Sequence, residues 1–315
     1  MSRVAAIDCG TNSLRLLVAD VEGGVLTDVV RRLEIVRLGQ DVDRTGAFAP
    51  AALARAFSVC EQYADLISRH RPAALRFCAT SAARDVSNTA EFVDGVRARL
   101  GVAPEIISGA VEAELSYVGA VHDLDVASSD GAELEDPVLV MDIGGGSTEF
   151  IEGVAGVATR WESLDIGSVR LTERHLEDDP PTAAQVAAAD ADVGAAVGRL
   201  GIDLGSSRSL VGLSGTVTTV AAYSLASTGH DPRAVHHARL PVEQVLGSCR
   251  ALIEATVEQR RAMPFMHPGR ADVIGGGALV LQFILRRMAP TLAEPRLLVS
   301  EHDILDGIAW SIAAS

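Results

Sequence analysis

The chain has 315 residues, of which 48% are hydrophobic and only 4% aromatic, and its formal net charge is −15. This length is enough for a large buried core and predicts two domains, while the low aromatic share predicts a core of Ala, Val, Leu and Ile. The negative charge argues against nucleic acid and anionic membranes as partners.

The first predicted element is a β-hairpin near the amino terminus. Residues 4–13 read VAAIDCGTNS, in which an apolar strand is followed by the pattern D-x-G-x-x-S, with Asp8, Gly10 and Ser13. The next apolar stretch, LLVADVEGG, predicts a second strand that ends at a glycine turn. Because the acid at position 8 interrupts the apolar run, this segment is not expected to be a signal peptide.

Helix signals follow in the first half of the chain. An amphipathic helix face is indicated by steps of four and three between apolar residues Leu53, Phe57, Cys60, Ala64 and Ile67. Asn88 with Glu91 predicts a capping box at the start of a second helix, which we expect to end at Gly101.

A third helix is predicted after the strand EIIS (105–108) and a turn at Ser108 and Gly109. Glu112 falls in its first turn, where a carboxylate complements the helix dipole by about 0.3–1 kcal/mol. On this local pattern alone, dipole compensation is the favoured interpretation of Glu112. Residues 124–137, LDVASSDGAELEDP, are polar and acidic and predict a surface loop between two halves of the chain.

The hairpin motif occurs again in the second half. Residues 139–150 read LVMDIGGGSTEF, which places Asp142, Gly144 and Ser147 at the same D-x-G-x-x-S spacing. The alternation of side chains along a strand puts Glu149 on the same side as Ser147. One such match is weak evidence, but two, each opening one half of the chain, predict a duplicated domain.

The second half also contains predicted helices. Thr182 with Gln185 predicts a capping box for a helix that ends at Gly201, and residues 242–262 predict one long helix that ends at Pro264. Apolar strands and helices therefore alternate along the chain, which favours an α/β architecture with parallel or mixed sheets.

Two further strand–turn–helix junctions are predicted late in the chain, at residues 209–222 and 272–285. The turn residues would be Ser214, Gly215 and Thr216 at the first junction and Gly275, Gly276 and Gly277 at the second. With the two hairpins, four glycine-containing turns are thus expected after apolar strands.

Such turns suit phosphate binding. Without a Cβ, backbone N–H groups can approach one spot, and with a helix N-terminus behind them they bind phosphate without a lysine, a residue that this chain lacks. Asp8 and Asp142 suit a Mg²⁺ that neutralises phosphate oxygens, because a carboxylate in direct contact with phosphate is repelled. Ordinary hairpin turns with capping acids are the alternative for any single turn.

The chain resembles a known family. Its two hairpins resemble the phosphate motifs of the actin/Hsp70/sugar-kinase superfamily, and DIGGGSTE (142–149) resembles the signature of the exopolyphosphatase/guanosine pentaphosphate phosphohydrolase family. The segments IDCGTNSLRLLVAD, ATSAARDVSN, IISGAVEAELSYVGAV, LSGT and SEHDILDGIA fall in the family's order, so the resemblance covers essentially the whole chain. It is greatest to the short, two-domain actinobacterial exopolyphosphatases.

The resemblance implies an α/β fold of two actin-like (ASKHA, ribonuclease H-like) domains with an interdomain cleft. It implies that actin-like domain I comprises residues 1–122, with a C-terminal helix at 303–315 packed back on it. Actin-like domain II would comprise residues 123–302.

The resemblance also implies residue roles, with Glu112 as the catalytic base that takes a proton from water. The implied phosphate-binding residues are Gly10, Thr11, Asn12, Ser13, Arg84, Gly144, Gly145, Gly146, Ser147, Gly215 and Thr216. The implied metal ligands are Asp8, Asp142 and Glu149, which would hold Mg²⁺ or Mn²⁺. For Arg84, a salt bridge with Asp85 or a helix acid is the alternative.

Two segments depart from the family pattern. Many members carry two acids immediately before the base, where this chain has Ala110 and Val111, so the metal ligand set is left open. The family's L-R-E-G near the end is replaced by residues 304–307, Ile-Leu-Asp-Gly, which lack the arginine.

The function implied is an exopolyphosphatase that hydrolyses the terminal phosphoanhydride of inorganic polyphosphate. Hydrolysis of pppGpp at the same site is the close alternative, and an ATP-dependent kinase of the same fold or a non-catalytic polyphosphate or nucleotide sensor are less favoured. A homodimer stays open, and neither nucleic acid nor a membrane is an expected partner.

The cysteines and the arginines of the second half allow two further predictions. The four cysteines, Cys9, Cys60, Cys78 and Cys249, lack metal-ligand spacing and predict reduced, buried thiols in a cytoplasmic protein. Arginines of the second half could form a basic track for a polyanion, or could be scattered on the surface: Arg170, Arg174, Arg208, Arg239, Arg260, Arg261 and Arg270.

Overall fold

A computed structural model of the protein describes residues 2–23, 25–84, 86–122, 134–155, 157–229 and 231–313. The chain divides into two compact units, Met1–Gly119 with Ile304–Ser315 and Ala120–Asp303. Most of the acidic loop predicted at residues 124–137 lies outside the described residues. Among the helices of the described ranges, none is long and apolar enough to cross a membrane.

The first unit contains a mixed sheet of five strands. The strands are β1 (Ser2–Cys9), β2 (Ser13–Glu22), β3 (Val25–Ile35), β4 (Ala74–Ala79) and β5 (Glu105–Ile106). Their order is β3-β2-β1-β4-β5, with β1, β2 and β3 antiparallel and with β4 and β5 parallel to β1. The carboxyl ends of β1, β4 and β5 therefore lie at one edge, where α/β sheets commonly bind ligands.

Helices cover the sheet of the first unit. The helices before residue 122 are α1 (Val42–Thr45), α2 (Pro50–His70), α3 (Ser81–Arg84), α4 (Thr89–Leu100) and α5 (Gly109–Val121). The predicted helix face on α2 is confirmed at Leu53 and Cys60, which are buried in a core with Phe77 and Phe92. Helix α4 ends before Gly101, whose positive φ of 74° suits glycine, as predicted.

The predicted capping box at the start of α4 is wrong. The Asn88 side chain does not cap the helix but accepts a hydrogen bond from the Phe48 amide at 2.8 Å and donates one to the Phe48 carbonyl at 3.1 Å. Tertiary pairing with a distant backbone segment has replaced the local cap.

The second unit repeats the arrangement of the first. Its strands are β6 (Val138–Ile143), β7 (Thr148–Val154), β8 (Val157–Leu164), β9 (Ser209–Leu213), β10 (Arg239–Pro241) and β11 (Arg296–Val299). The order is β10-β11-β9-β6-β7-β8, in which β6, β7 and β8 are antiparallel and β9 and β11 continue in parallel. Apart from the edge strand β10, this is the first sheet again, so the predicted α/β class and the duplication are confirmed.

The helices of the second unit pack around one core. They are α6 (Ser168–His175), α7 (Ala183–Val197), α8 (Ser214–Ser224), α9 (Pro232–Val235), α10 (Val242–Glu254), α11 (Val257–Arg261) and α12 (Ile274–Met288), followed by a 3₁₀ turn (Ala289–Thr291). The capping box of Thr182 and Gln185 before α7 is confirmed. Helix α7 ends at Val197, earlier than the predicted Gly201.

The single helix predicted at residues 242–262 is two helices. Helix α10 ends at Glu254, and Thr256 caps α11 in a capping box with Gln259. The buried Arg260 side chain donates to the carbonyls of Leu252 and Ile253 at 2.7 and 3.2 Å, which satisfies groups left by the helix break. Arg260 is therefore structural and is removed from the predicted basic track.

The predicted strand and turn at residues 272–285 are wrong, because Gly275–Gly277 lie in the first turn of the buried helix α12. A Cβ on Gly276 would lie 2.5 Å from the Ser168 carbonyl oxygen, and one on Gly277 would lie 2.6 Å from Thr216 Oγ1. These glycines allow α12 to pack closely against α6 and α8, which explains them without a phosphate loop.

The last helix, α13 (Ile304–Ala313), belongs to the first unit and packs against β1 and β2. Asp306, in the segment that departs from the family pattern, is fully buried and forms an ion pair with Arg31 of β3. A Cβ on Gly307 would lie 1.9 Å from the Leu115 carbonyl oxygen, so α13 also touches the backbone of α5. The acid at position 306 therefore anchors this helix to the sheet.

Candidate active site

The two D-x-G-x-x-S segments form hairpin tips that are closed by the same hydrogen bond. The glycine amide of each motif donates to the serine carbonyl at 3.0 Å, from Gly10 to Ser13 and from Gly144 to Ser147. In each hairpin the acid of the motif lies near the end of the first strand. The two predicted hairpins are thus confirmed as equivalent devices, one in each unit.

Neighbouring segments hold the first tip in place. The Thr11 carbonyl accepts a hydrogen bond from the Gly39 amide at 2.8 Å, and the Asn12 carbonyl accepts one from the Val36 amide at 3.0 Å. The buried Thr11 hydroxyl lies 3.1 Å from the Ser81 hydroxyl at the start of α3. These contacts give Thr11 and Asn12 structural roles, while their phosphate contacts stay predictions.

The second tip turns its carbonyl groups toward the start of α6. The Gly144 carbonyl accepts from the Ser168 amide at 3.0 Å, and the Gly145 carbonyl accepts from the Val169 amide at 2.9 Å. Within the part of the chain that the structure describes, the amides of Gly145 and Gly146 donate no hydrogen bond. Consecutive N–H groups of this kind suit an anion such as phosphate.

The hairpins differ in the residue that faces the motif acid across the strand pair. In the first hairpin Asp8 pairs with Arg15, whose Nε and Nη2 donate to Asp8 Oδ2 at 2.9 and 2.8 Å. In the second hairpin Asp142 pairs with Glu149 in the corresponding register. The first acid is thus neutralised by a neighbouring arginine, whereas the second acid faces another carboxylate.

Asp142 and Glu149 have the donor chemistry that Mg²⁺ requires. Both are buried, at 5% and 1% exposure, and each accepts a hydrogen bond from a serine: Ser214 Oγ to Asp142, and Ser163 Oγ to Glu149 Oε1 at 2.8 Å. No cluster of three or more ligating side chains occurs among the residues described. The pair fits Mg²⁺, which takes one or two carboxylates and completes its octahedron with water and substrate phosphate.

The junction between β9 and α8 carries backbone strain beside this pair. Ser214 has a φ of 67°, in the left-handed region that costs a non-glycine residue about 1–2 kcal/mol. That conformation starts α8 and aims the Ser214 hydroxyl at Asp142. Strain of this kind concentrates at functional sites, where the surrounding structure fixes it.

Gly215 and Thr216 form the first turn of α8. The Arg270 guanidinium lies over Gly215, since a Cβ there would be 2.4 Å from Arg270 Cζ. Thr216 is 5% exposed and lies against Gly277 of α12, so its side chain has a packing role. The helix N-terminus favours an anion, and phosphate binding by these two residues stays a prediction.

Glu112 and Arg84, both predicted site residues, form one ion pair in the first unit. Helix α5 places Glu112 in its first turn, as predicted, with the Glu112 amide bonded to the Ser108 carbonyl at 2.9 Å. Arg84 Nη1 donates to Glu112 Oε2 at 2.7 Å and to the Ile107 carbonyl at 3.0 Å. The proposed alternative partner of Arg84, a helix acid, is thus Glu112 itself.

Three side chains that support the site residues were not predicted from the sequence. Arg15 holds Asp8, Ser163 holds Glu149, and Ser214 was noted only as a turn residue. Arg15 could have been predicted from the repeat of the motif. It follows Asp8 at the same spacing at which Glu149 follows Asp142, and in both hairpins the two residues lie opposite each other.

The cysteines do not contribute a nucleophile. All four are free and buried, as predicted. Burial raises the pKa of the Cys60, Cys78 and Cys249 thiols to about 12 and raises that of Cys9 well above its ordinary value. Since the thiolate is the reactive form, thiol chemistry at neutral pH is disfavoured.

Comparisons with known proteins agree with this architecture. The model of the Ppx/GppA phosphatase family matches residues 17–311. Exopolyphosphatase 2 of Mycobacterium tuberculosis is 48% identical over 324 aligned positions, which cover 99% of both chains. The crystal structure of an exopolyphosphatase-like protein, 42% identical, superposes with a TM-score of 0.93 over 99% of this chain and 97% of that one.

A Ppx/GppA family member from Aquifex aeolicus, 29% identical, superposes with a TM-score of 0.80 over 99% of this chain and 98% of that one. The family model and these relatives extend over nearly the whole length of the chain. The chain therefore belongs to the Ppx/GppA phosphatase family.

Proposed function

We propose that the protein is a Mg²⁺-dependent exopolyphosphatase, which hydrolyses the terminal phosphoanhydride of inorganic polyphosphate and releases orthophosphate. Family membership and the similarity to a protein named Exopolyphosphatase 2 support this reaction class. The structural observation that carries the proposal is the second hairpin. There the buried Asp142 and Glu149 adjoin a tip whose Gly145 and Gly146 amides donate no hydrogen bond within the described residues.

In this proposal the second hairpin binds the charged part of the substrate. Asp142 and Glu149 hold the metal, and the amides of Gly145 and Gly146 donate to phosphate oxygens. Bound Mg²⁺ would supply positive charge that neutralises phosphate oxygens, and Mn²⁺ is an alternative. Arg15 binds Asp8 through Oδ2, so the second hairpin is the main metal site in this proposal, and a metal role of Asp8 stays a prediction.

The proposed base is Glu112 of α5. Glu112 accepts a proton from a water molecule as the water oxygen attacks the terminal phosphorus. A phosphorus–oxygen bond to water forms while the bond to the bridging oxygen breaks, which leaves orthophosphate and a chain shortened by one phosphate. Arg84 donates to phosphate oxygens and offsets their charge.

The test compares phosphate release from long polyphosphate, tripolyphosphate, pppGpp and ATP by the wild type and Glu112→Gln. Loss of a general base predicts that Glu112→Gln slows polyphosphate hydrolysis by about 10²–10⁴-fold. Glu114→Gln, an exposed acid on the same helix, is the matched control and should keep the wild-type rate.

The other outcomes decide against the proposal in different ways. A full rate in Glu112→Gln would contradict the assignment of the base. Release from pppGpp but not from polyphosphate would select the alternative substrate. Turnover that requires an acceptor other than water would indicate a kinase, and binding without turnover would indicate a sensor.

The free thiols also support a cytoplasmic location within this proposal. All four cysteines are free, and disulfides are rare in proteins that remain in a reducing compartment. The net charge of −15 supports the absence of nucleic acid and anionic membrane partners.

A further inference from the structure

Arg84 engages its protein partners through one end of its guanidinium group. Nη1 donates both to Glu112 Oε2 at 2.7 Å and to the Ile107 carbonyl at 3.0 Å. Among the described residues, Nε and Nη2 of Arg84 have no hydrogen-bond acceptor. The Arg84 side chain is 22% exposed, so part of it is open to solvent.

The position of Arg84 is fixed from two directions. The Ile107 carbonyl accepts a hydrogen bond from Arg84, and the carbonyl of the next residue, Ser108, accepts the first hydrogen bond of α5. The backbone that holds Arg84 therefore leads directly into the helix that carries Glu112. Arg84 ends the short helix α3, and Ser81 at the other end of that helix contacts the first hairpin tip. The guanidinium is therefore placed by the same framework that places Glu112.

A planar guanidinium has five N–H donors in a rigid fork, so it can hold two anions on different edges at a set angle. We propose that Arg84 is a positioning residue for Glu112 as well as a phosphate ligand. Nη1 orients the Glu112 carboxylate, while the Nε and Nη2 edge binds non-bridging oxygens of the terminal phosphoryl group. One side chain thereby sets the base and the reacting phosphate in a common geometry. This inference rests on the proposed function.

Lysine tests the inference because it keeps the positive charge but is a point charge without a second edge. Arg84→Lys should bind either the carboxylate or the phosphate, but should not fix the angle between them. Misplacement of a catalytic group by about 1 Å costs about 10²-fold in rate. Arg84→Lys should accordingly lower kcat by about 10–100-fold and change KM much less, whereas Arg84→Gln should impair both.

The matched control is Arg76→Lys. Arg76 also forms an ion pair with a glutamate of the first unit, Glu105, at 2.9 Å, but it does not contact Glu112. It should keep the wild-type kcat and KM. Thermal unfolding of all variants distinguishes a loss of folding from a loss of catalytic rate. Arg84→Lys and Arg76→Lys are expected to unfold at similar temperatures.

The experiment measures kcat and KM for phosphate release from tripolyphosphate between about pH 5 and 9, for the wild type, the three arginine variants, Glu112→Gln and the double variant Arg84→Lys/Glu112→Gln. In Arg84→Gln the acidic limb of the kcat/KM profile should move to higher pH, because an adjacent cation no longer favours the ionised carboxylate. In the Glu112→Gln background, Arg84→Lys should lower kcat by less than about threefold, because the group that it positions is already disabled.

The inference is overturned if Arg84→Lys raises KM alone with an unchanged kcat, or if its full effect on kcat persists in the Glu112→Gln background. Failure of the proposed function has a different signature, namely no phosphate release by the wild type or a normal rate in Glu112→Gln. A third outcome would reject only the positioning role. In it, Glu112→Gln loses activity, but Arg84→Lys has the same kcat and KM as Arg76→Lys.

Discussion

The β1–β2 and β6–β7 hairpins share a backbone design but differ in charge. Both tips close with a glycine-to-serine hydrogen bond of 3.0 Å, and both pair the motif acid with the residue at the same register position. That residue is Arg15 opposite Asp8 in the first hairpin and Glu149 opposite Asp142 in the second. The comparison teaches that one scaffold, used twice, pairs its acid with an arginine in the first unit and with a second carboxylate in the other.

The largest expected effect tests whether Asp142 and Glu149 of the second hairpin bind a cation. Asp142→Asn and Glu149→Gln should each lower Mg²⁺-dependent phosphate release by about 10³-fold, because a lost metal ligand removes several kcal/mol of transition-state stabilisation. The measurement is the rate of release from tripolyphosphate during a Mg²⁺ titration, with calorimetric Mg²⁺ binding beside it.

The exposed Asp165 provides the control for these variants, and Asp165→Asn should retain the wild-type rate and Mg²⁺ affinity. Asp8→Asn should leave Mg²⁺ affinity close to the wild-type value, because Asp8 is bound to Arg15. An equal loss of Mg²⁺ affinity in Asp8→Asn and Asp142→Asn would break the comparison, since both hairpins would then serve the metal.

The next effect concerns stability and tests the neutralised hairpin. Asp8→Asn leaves the Arg15 side chain, 16% exposed, without its carboxylate and should lower the free energy of unfolding by about 3 kcal/mol. Glu149→Gln, measured in excess chelator, should cost much less, because it removes one of two like charges on paired strands. Urea unfolding of both variants in the same buffer checks this, and equal losses would contradict it.

The smallest effect concerns the glycines that cover the tips. A Cβ on Gly167 would lie 2.5 Å from the Gly145 carbonyl oxygen, whereas one on Gly39 would lie 2.2 Å from the Thr11 side-chain methyl group. Because a methyl group moves more easily than a backbone carbonyl, Gly167→Ala should destabilise by about 2 kcal/mol and Gly39→Ala by about 1 kcal/mol. Urea unfolding decides the order, and the reverse order would show that the first tip is the more rigid one.

The sequence was sufficient for the features that local pattern determines. The D-x-G-x-x-S spacing and the alternating apolar residues predicted both hairpins, and the capping box at Thr182 was confirmed. Glu112 was placed correctly in a first helical turn, but its partner Arg84 is distant in the chain and only the fold joins them. The family resemblance, rather than any local pattern, singled out both residues.

The sequence was insufficient where tertiary contacts override a local signal. Gly275–Gly277 follow a short apolar run and resemble a turn, yet they exist so that α12 can approach Ser168 and Thr216. Asn88 and Glu91 have the spacing of a capping box, but the Asn88 side chain forms hydrogen bonds with the backbone of the distant Phe48. In both cases the residue that determines the local structure lies far away in the sequence, so a short stretch of sequence is not enough to predict that structure.

The return of α13 to the first unit has a consequence for biosynthesis. One core of that unit joins residues from both chain ends, Val4, Ala6, Leu17, Ile304, Leu305, Ile308 and Trp310. On the ribosome, residues 304–313 emerge after the whole contiguous segment 120–303 is already available. The unit that is synthesised first is therefore the last to close its core, and its nascent apolar sheet face must wait until residues 304–313 have been synthesised.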